Sequence, residues 1–435
     1  MSAAAFAAAL AAIDPEDPAL RGAVALQVAD ALACLAHGRR TREGRGLLAL
    51  YGVDADPRPD TVAAAAAAVV RMTEWDAIHL PSCVSAPAVA VPVAVMLAMD
   101  PEDVVAAVEA GCAVGIALAT AVGGPAALAR GVWPAAVAAP AVAATAAGIA
   151  LGFDDGTVVR AIALSLAGVS GRIGRPGVGP GGRPSGRWFA IGEATLKGIR
   201  AARAAEARVG ADVGLLTGEA VAAMGDPAVA RPQTLAVLPT AAAAATGLKP
   251  YVAARQGTNA IAAILDLVRT GAVDGLPDEI RVSLPPVAVP VVTRALDPRE
   301  RLSRIANLGL RLATALREPD ALFDVAQDGG IDPRSLDLAA RVAVVADPAL
   351  DDGASGSWPA RVAVRTGTRW TETTCPRVPG DAGDPAGREA ALEAKLVRLP
   401  PPVAGRLRAL RAALAAGEAA AVEDGRDLLM DHPPP

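Results

Sequence analysis

The chain has 435 residues, more than one hydrophobic core usually serves, so two domains and a large buried core are expected. Hydrophobic residues make up 53% but aromatic ones only 3%, so the apolar fraction is mostly Ala, Val and Leu, which implies closely packed helices. A net charge of -5 with arginines scattered among acidic residues offers no basic field to a phosphate backbone, which argues against nucleic acid as a partner.

The opening MSAAAFAAALAAID lacks the positively charged start of a secretory signal, so a cytoplasmic location is expected. The cysteines Cys34, Cys83, Cys112 and Cys375 form no CxxC pair, which fits buried thiols in a reducing compartment and gives no support for a metal site. Periodic, Ala-rich helices are read over residues 21–37, 61–80, 102–122, 157–168 and 188–209, with N-caps at Asp60-Thr61 and from Asp154 to Thr157. Residues 83–99 and 132–152 are apolar all round and interrupted by proline, which suits buried helices of a large core better than membrane spans; no membrane partner is expected. Residues 168–188, GVSGRIGRPGVGPGGRPSGRW, are too rich in Gly and Pro for regular structure. Arginines at 172, 175, 183 and 187 make a substrate-covering loop about as good a reading as a surface connection.

After Lys249 the composition changes. A helix over 259–270 is followed by the alternating strand EIRVSL at 279–284, a helix over 299–315, and WPARVAVRTGTRWTETT, which reads as a hairpin turning at 366–368. Helical patterns return at 387–398, 403–414 and on to about 429. The expected fold is therefore mainly α: a large helical domain over 1–248, completed by C-terminal helices 387–430, and a smaller α/β domain over 249–386.

The inventory of acid and base residues is short. Of three histidines, His432 lies in the tail and His37 sits at a helix end, where a dipole interaction is the ordinary explanation. In RMTEWDAIHLPSC, Asp76 and His79 are three apart and share a helix face, so the carboxylate can orient the imidazole as a general base; a helix-end ion pair explains the same spacing. In TGLKPYVAARQ, Lys249, with Tyr251 and Arg255 close by, can bind carboxylates or exchange a proton, or can be a solvated lysine at a domain boundary. No GxSxG, HExxH or GxxxxGK[ST] is present, and GVGPGG lacks the preceding strand of a dinucleotide site.

Several segments in order, spanning nearly the whole chain, resemble the MmgE/PrpD family of 2-methylcitrate dehydratases and cis-aconitate decarboxylases. They are DAIHLPSCVSAPAVAVPVAVMLA, RGVWPAAVAAPAVAATAAGIALGF with AIALSLAG, GRWFAIGEATLKGIRAARAAEARVG, LKPYVAAR, PDEIRVSLP and WPARVAVRTG. The departures are as informative. Ser85-Ala86 stands ahead of Pro87, and Trp133 and Ala254 stand, where family members carry histidines; Arg187 replaces a lysine. With Trp133 and Trp188 available, the site is expected to be less polar than one built for a tricarboxylate.

The resemblance implies a helical domain and a smaller α/β domain with the site in a cleft, a homodimer, and cofactor-free proton abstraction next to a carboxylate of a small-molecule substrate, followed by elimination, decarboxylation or reprotonation. His79 with Asp76, or Lys249, would move the proton. Arg187 and Arg255 would hold anionic charge, with Tyr251, Ser85, Trp133 and Trp188 lining the substrate. A scaffold that has lost catalysis and serves as a binding protein is the alternative.

Overall fold

The structure is a computed structural model that describes residues 3–128, 131–169, 186–225, 227–231, 235, 237–351, 357–377 and 379–431. Most of the 168–186 loop, including Arg172, Arg175 and Arg183, lies outside them, as does His432. Two compact units are present. The first comprises the described residues of Met1–Arg175, Gly186–Leu248 and Leu392–Pro435, and the second those of Lys249–Ala391.

The first unit is helical. Its elements are α1 (Ala3–Ala11), α2 (Pro18–Arg39), α3 (Arg42–Leu50), α4 (Pro59–Met72), α5 (Pro87–Leu97), α6 (Pro101–Ala121), α7 (Gly124–Leu128), α8 (Pro134–Ala150), α9 (Asp155–Leu166), α10 (Arg187–Glu206) and α11 (Gly218–Met224). Asp17, Asp100 and Asp154 each accept a backbone N–H at the start of a helix, while α4 begins with Pro59 at N1 behind Arg58, not with the expected Asp60-Thr61 cap.

Small residues let these helices approach closely. A Cβ built on Gly198 of α10 would lie 2.6 Å from the Ala143 Cβ and collide with the Pro140 carbonyl of α8. Pro140 and Pro92 sit inside helices whose neighbours are almost wholly buried. By length and composition α2 and α6 could cross a membrane, but 67% and 89% of those windows are buried against protein, as in core helices.

The second unit holds α12 (Thr258–Arg269), α13 (Val289–Val292), α14 (Arg301–Ala306), α15 (Leu308–Arg317), α16 (Pro333–Ala339) and four strands. These are β1 (Glu279–Leu284), β2 (Val342–Ala346), β3 (Ala360–Thr366) and β4 (Arg369–Cys375), in the order β2-β1-β3-β4. β1 runs parallel to β2 and antiparallel to β3, with Val282 opposite both Val344 and Val362. Alternate residues Ile280, Val282 and Leu284 of β1 and Ala360, Val362 and Val364 of β3 share one apolar cluster with Ile261, Ile264 and Leu267 of α12 and Leu312 of α15. The β3–β4 hairpin turns through Gly367 at φ +59°, as its sequence suggests.

The helix read over 299–315 is two helices, because Asn307 leaves helical geometry and its side chain caps α15 through the Leu310 N–H. Beyond the sheet come α17 (Pro385–Leu396), within which the chain returns to the first unit, then α18 (Pro401–Ala416) and α19 (Ala420–Met430). Among the described residues the class defined is thus mainly helical, with one small mixed sheet.

Candidate functional site

The helix expected over 61–80 stops at Met72, so Asp76 and His79 do not share a helical face. Glu74 takes φ +55°, a left-handed conformation that turns the chain out of α4. Residues 74–79 then run irregularly, fixed at nearly every step. Arg187 holds Glu74 at 2.5 Å, and the Lys395 ammonium donates to the Trp75 carbonyl at 2.7 Å. Arg71 pairs with Asp76, Asp30 accepts the Ala77 N–H at 3.2 Å, and the Ile78 backbone pairs with Gly247.

The segment ends in a tight hairpin. The His79 N–H donates to the Val84 carbonyl at 2.8 Å, and Cys83 closes the turn at φ +56°. Two left-handed non-glycine residues within ten positions is local strain of the kind that surrounding structure must enforce. Inside the hairpin, His79 Nδ1 lies 2.7 Å from Ser82 Oγ and 3.3 Å from the Ser82 N–H. Burial alone pushes the His79 pKa down to about 4, so the ring is neutral at neutral pH. Its partner is therefore Ser82 and not Asp76, whose carboxylate is taken by Arg71.

Arg71 connects the hairpin to an aromatic cluster. Burial disfavours its charge, but Asp76 and then Glu74 outweigh that and raise its pKa, with Cys83 also within electrostatic reach. The guanidinium lies 5.6 Å from the Trp133 ring and 5.2 Å from the Trp188 ring, while that of Arg187 lies 5.4 Å and 4.2 Å from the same two rings. The indoles meet edge to face at 5.9 Å. Trp133 is at the N-cap position of α8 and Arg187 and Trp188 open α10, so two helix starts converge there. Ser85, just ahead of α5, is buried nearby in sequence. Among the described residues Ser85 Oγ, Arg71 Nε and Trp188 Nε1 make no hydrogen bond, and such buried unsatisfied groups call for an explanation.

The structure thus brings together Arg187, Trp133 and Trp188 and joins them to Asp76 through Arg71; His79 follows on the same segment. Arg71, Glu74 and Ser82 were not singled out from sequence, although each lies in or beside the stretch that carries Asp76 and His79.

Lys249, Tyr251 and Arg255 belong to the second unit. Lys249 is 1% exposed, which overturns the reading of a solvated boundary lysine, and it follows two residues after Gly247, the backbone partner of Ile78. Tyr251 packs against Phe323 with tilted rings, centroids 5.9 Å apart, and burial, then Cys375, raises its pKa to about 12. Arg255 is committed within its own unit. It pairs with Asp381 and donates to Thr258 and Asn259 at the start of α12, so it is not free to hold a substrate carboxylate.

His37 also departs from expectation. It is buried, donates through Nε2 to the Lys395 carbonyl at 3.0 Å, and has its pKa lowered to about 4, mainly by burial. A neutral ring gains nothing from a helix dipole; His37 is a structural link to α17.

Among the described residues no group of three or more His, Cys, Asp or Glu is placed to hold a metal ion. Compared with protein-family models and with curated proteins, the chain matches none.

Proposed function

We propose that this chain is a cofactor-independent lyase or isomerase of the MmgE/PrpD type, which abstracts a proton next to a carboxylate or similar group of a small organic acid or imine. The observation that carries the reading is His79: a neutral, partly buried imidazole in a strained hairpin, whose hydrogen bonds among the described residues are all at Nδ1. Perturbed titratable groups beside strained backbone and unsatisfied polar atoms are characteristic of sites that act on ligands. The ordered segments resembling that family, from Asp76 to the strands of the second unit, support the same reaction class.

Charge balance bears on the substrate. Arg71 and Arg187 each already carry a carboxylate partner, Asp76 and Glu74, so the cluster suits a substrate of low negative charge, such as a monocarboxylic or imino acid. The faces of Trp133 and Trp188 supply apolar surface, and among the described residues Ser85 Oγ makes no hydrogen bond; Lys249, buried at the start of the second unit, is the candidate that the family resemblance gives for moving the proton. A cytoplasmic homodimer is part of the same proposal.

The test is solvent deuterium exchange into a panel of hydroxy, keto and imino acids, read by NMR. Enzyme-dependent wash-in at one carbon-bound position next to the activating group is the expected result. No exchange above buffer for any acid, with well-folded protein, overturns the reading in favour of a binding scaffold.

A further inference from the structure

The His79–Val84 hairpin is closed by two backbone hydrogen bonds, and within it Ser82 presents both its N–H and its hydroxyl to a single atom, His79 Nδ1. A backbone N–H can only donate. With the Ser82 amide nitrogen 3.3 Å from Nδ1, the ring nitrogen must offer its one lone pair, and the hydroxyl at 2.7 Å must then donate to the same lone pair and share it with the N–H. A neutral imidazole that accepts at Nδ1 carries its hydrogen on Nε2. Ser82 is wholly buried, so no water competes for the hydroxyl.

We infer that Ser82 fixes His79 as the Nε2–H tautomer, so that His79 is a neutral hydrogen-bond donor to the oxyanion developing on the substrate and not the base that takes its proton. This rests on the proton-abstraction reading above. A carbanion next to a carboxylate or carbonyl is stabilised as charge moves onto oxygen, and a preorganised N–H aimed at that oxygen is worth most in a site shielded from water. The proton removed from carbon goes to the candidate base, Lys249, whose nitrogen lone pair forms the new N–H bond. The imidazole keeps its own hydrogen throughout, and the carbon's bonding pair becomes the enolate pair. Ser82 is a positioning residue, acting only through the ring it orients.

The tautomer is read directly by long-range 1H–15N NMR on the full-length protein labelled with 15N-histidine, with His79 assigned by its disappearance in His79→Gln. The expected pattern at pH 7 is a neutral ring with Nε2 protonated and Nδ1 unprotonated. A ring protonated on Nδ1, or an imidazolium, overturns the inference, and either result leaves the proton-abstraction reading intact. If exchange into all acids fails while the NMR pattern holds, the proton-abstraction reading falls and the oxyanion role with it, and only the tautomer assignment stands.

Activity variants separate donor from base. Glutamine retains an N–H donor of similar reach, so His79→Gln should keep exchange within about 10-fold of wild type, whereas His79→Ala loses about 100-fold to 1,000-fold. Equal, severe losses in both would make His79 the base. Ser82→Ala keeps the amide but not the hydroxyl. With only the longer amide contact left on Nδ1, the preference for Nε2–H should weaken, so that an Nδ1–H population appears in the NMR spectrum, and the less firmly oriented ring should lower kcat about 10-fold with little change in KM; Ser82→Thr should restore both. An unchanged tautomer and kcat in Ser82→Ala would remove Ser82 from the role.

Discussion

Replacing Lys395 with Met tests how the irregular segment that carries the site is held. Lys395 is wholly buried on α17; its ammonium pairs with Asp30, donates to the Trp75 carbonyl and lies 5.5 Å from the Trp75 ring. Burial raises the Asp30 pKa even against the opposing pull of Lys395, so without the lysine this carboxyl must take up a proton to stay inside. Protonating a carboxyl whose ordinary pKa is 3.8 costs about 1.4 kcal/mol for each pH unit above that value, hence about 4 kcal/mol at pH 7. That agrees with the roughly 3–5 kcal/mol typical of halving a buried ion pair. The cost should shrink to about 2 kcal/mol at pH 5. In Lys395→Met/Asp30→Asn much of it should be recovered, because no ionisable group is then stranded. Urea unfolding followed by helical circular dichroism at both pH values measures this. A loss below about 1 kcal/mol at pH 7, or one independent of pH, would refute the reasoning.

Gly198→Ala should destabilise the first unit by about 3 kcal/mol, the upper range for overpacking, because the obstruction is the α8 backbone and not a flexible side chain; a change under about 0.5 kcal/mol in the same assay would contradict the close α8–α10 approach. For His37, the folded pKa of about 4 lies below the ordinary 6.5, so the unfolded chain binds the proton first as pH falls. Its contribution is therefore intact above pH 6.5 and lost progressively down to pH 4, by roughly 3 kcal/mol. The difference between wild-type and His37→Gln stability curves over that range should show this slope, and parallel curves would count against it.

Regular elements were legible because periodicity reports them: β1 and the 360–375 hairpin follow from alternation, and the long helices from Ala-rich faces. β2 escaped notice because VAVVA has no polar alternation and lies at a sheet edge, where its pattern records little burial. The end of α4 was illegible for a deeper reason. Nothing local forbids helix through Thr73 and Glu74; the chain turns there because Arg187, Lys395 and Asp30, all distant in sequence, hold the next residues in place. The Asp76–His79 spacing therefore suggested a pair that the turn dissolves, while the contacts made instead, Arg71 with Asp76 and Ser82 with His79, follow from the turn and the hairpin.

The central claim is proton transfer at carbon, and solvent deuterium exchange measured side by side in wild type, His79→Gln and Lys249→Met tests it most directly. The account predicts site-specific exchange in wild type, retention within about 10-fold in His79→Gln, and a loss of about 100-fold to 10,000-fold in a folded Lys249→Met, as for removal of a general base. Wild-type exchange no faster than buffer, or undiminished exchange in Lys249→Met, would contradict it.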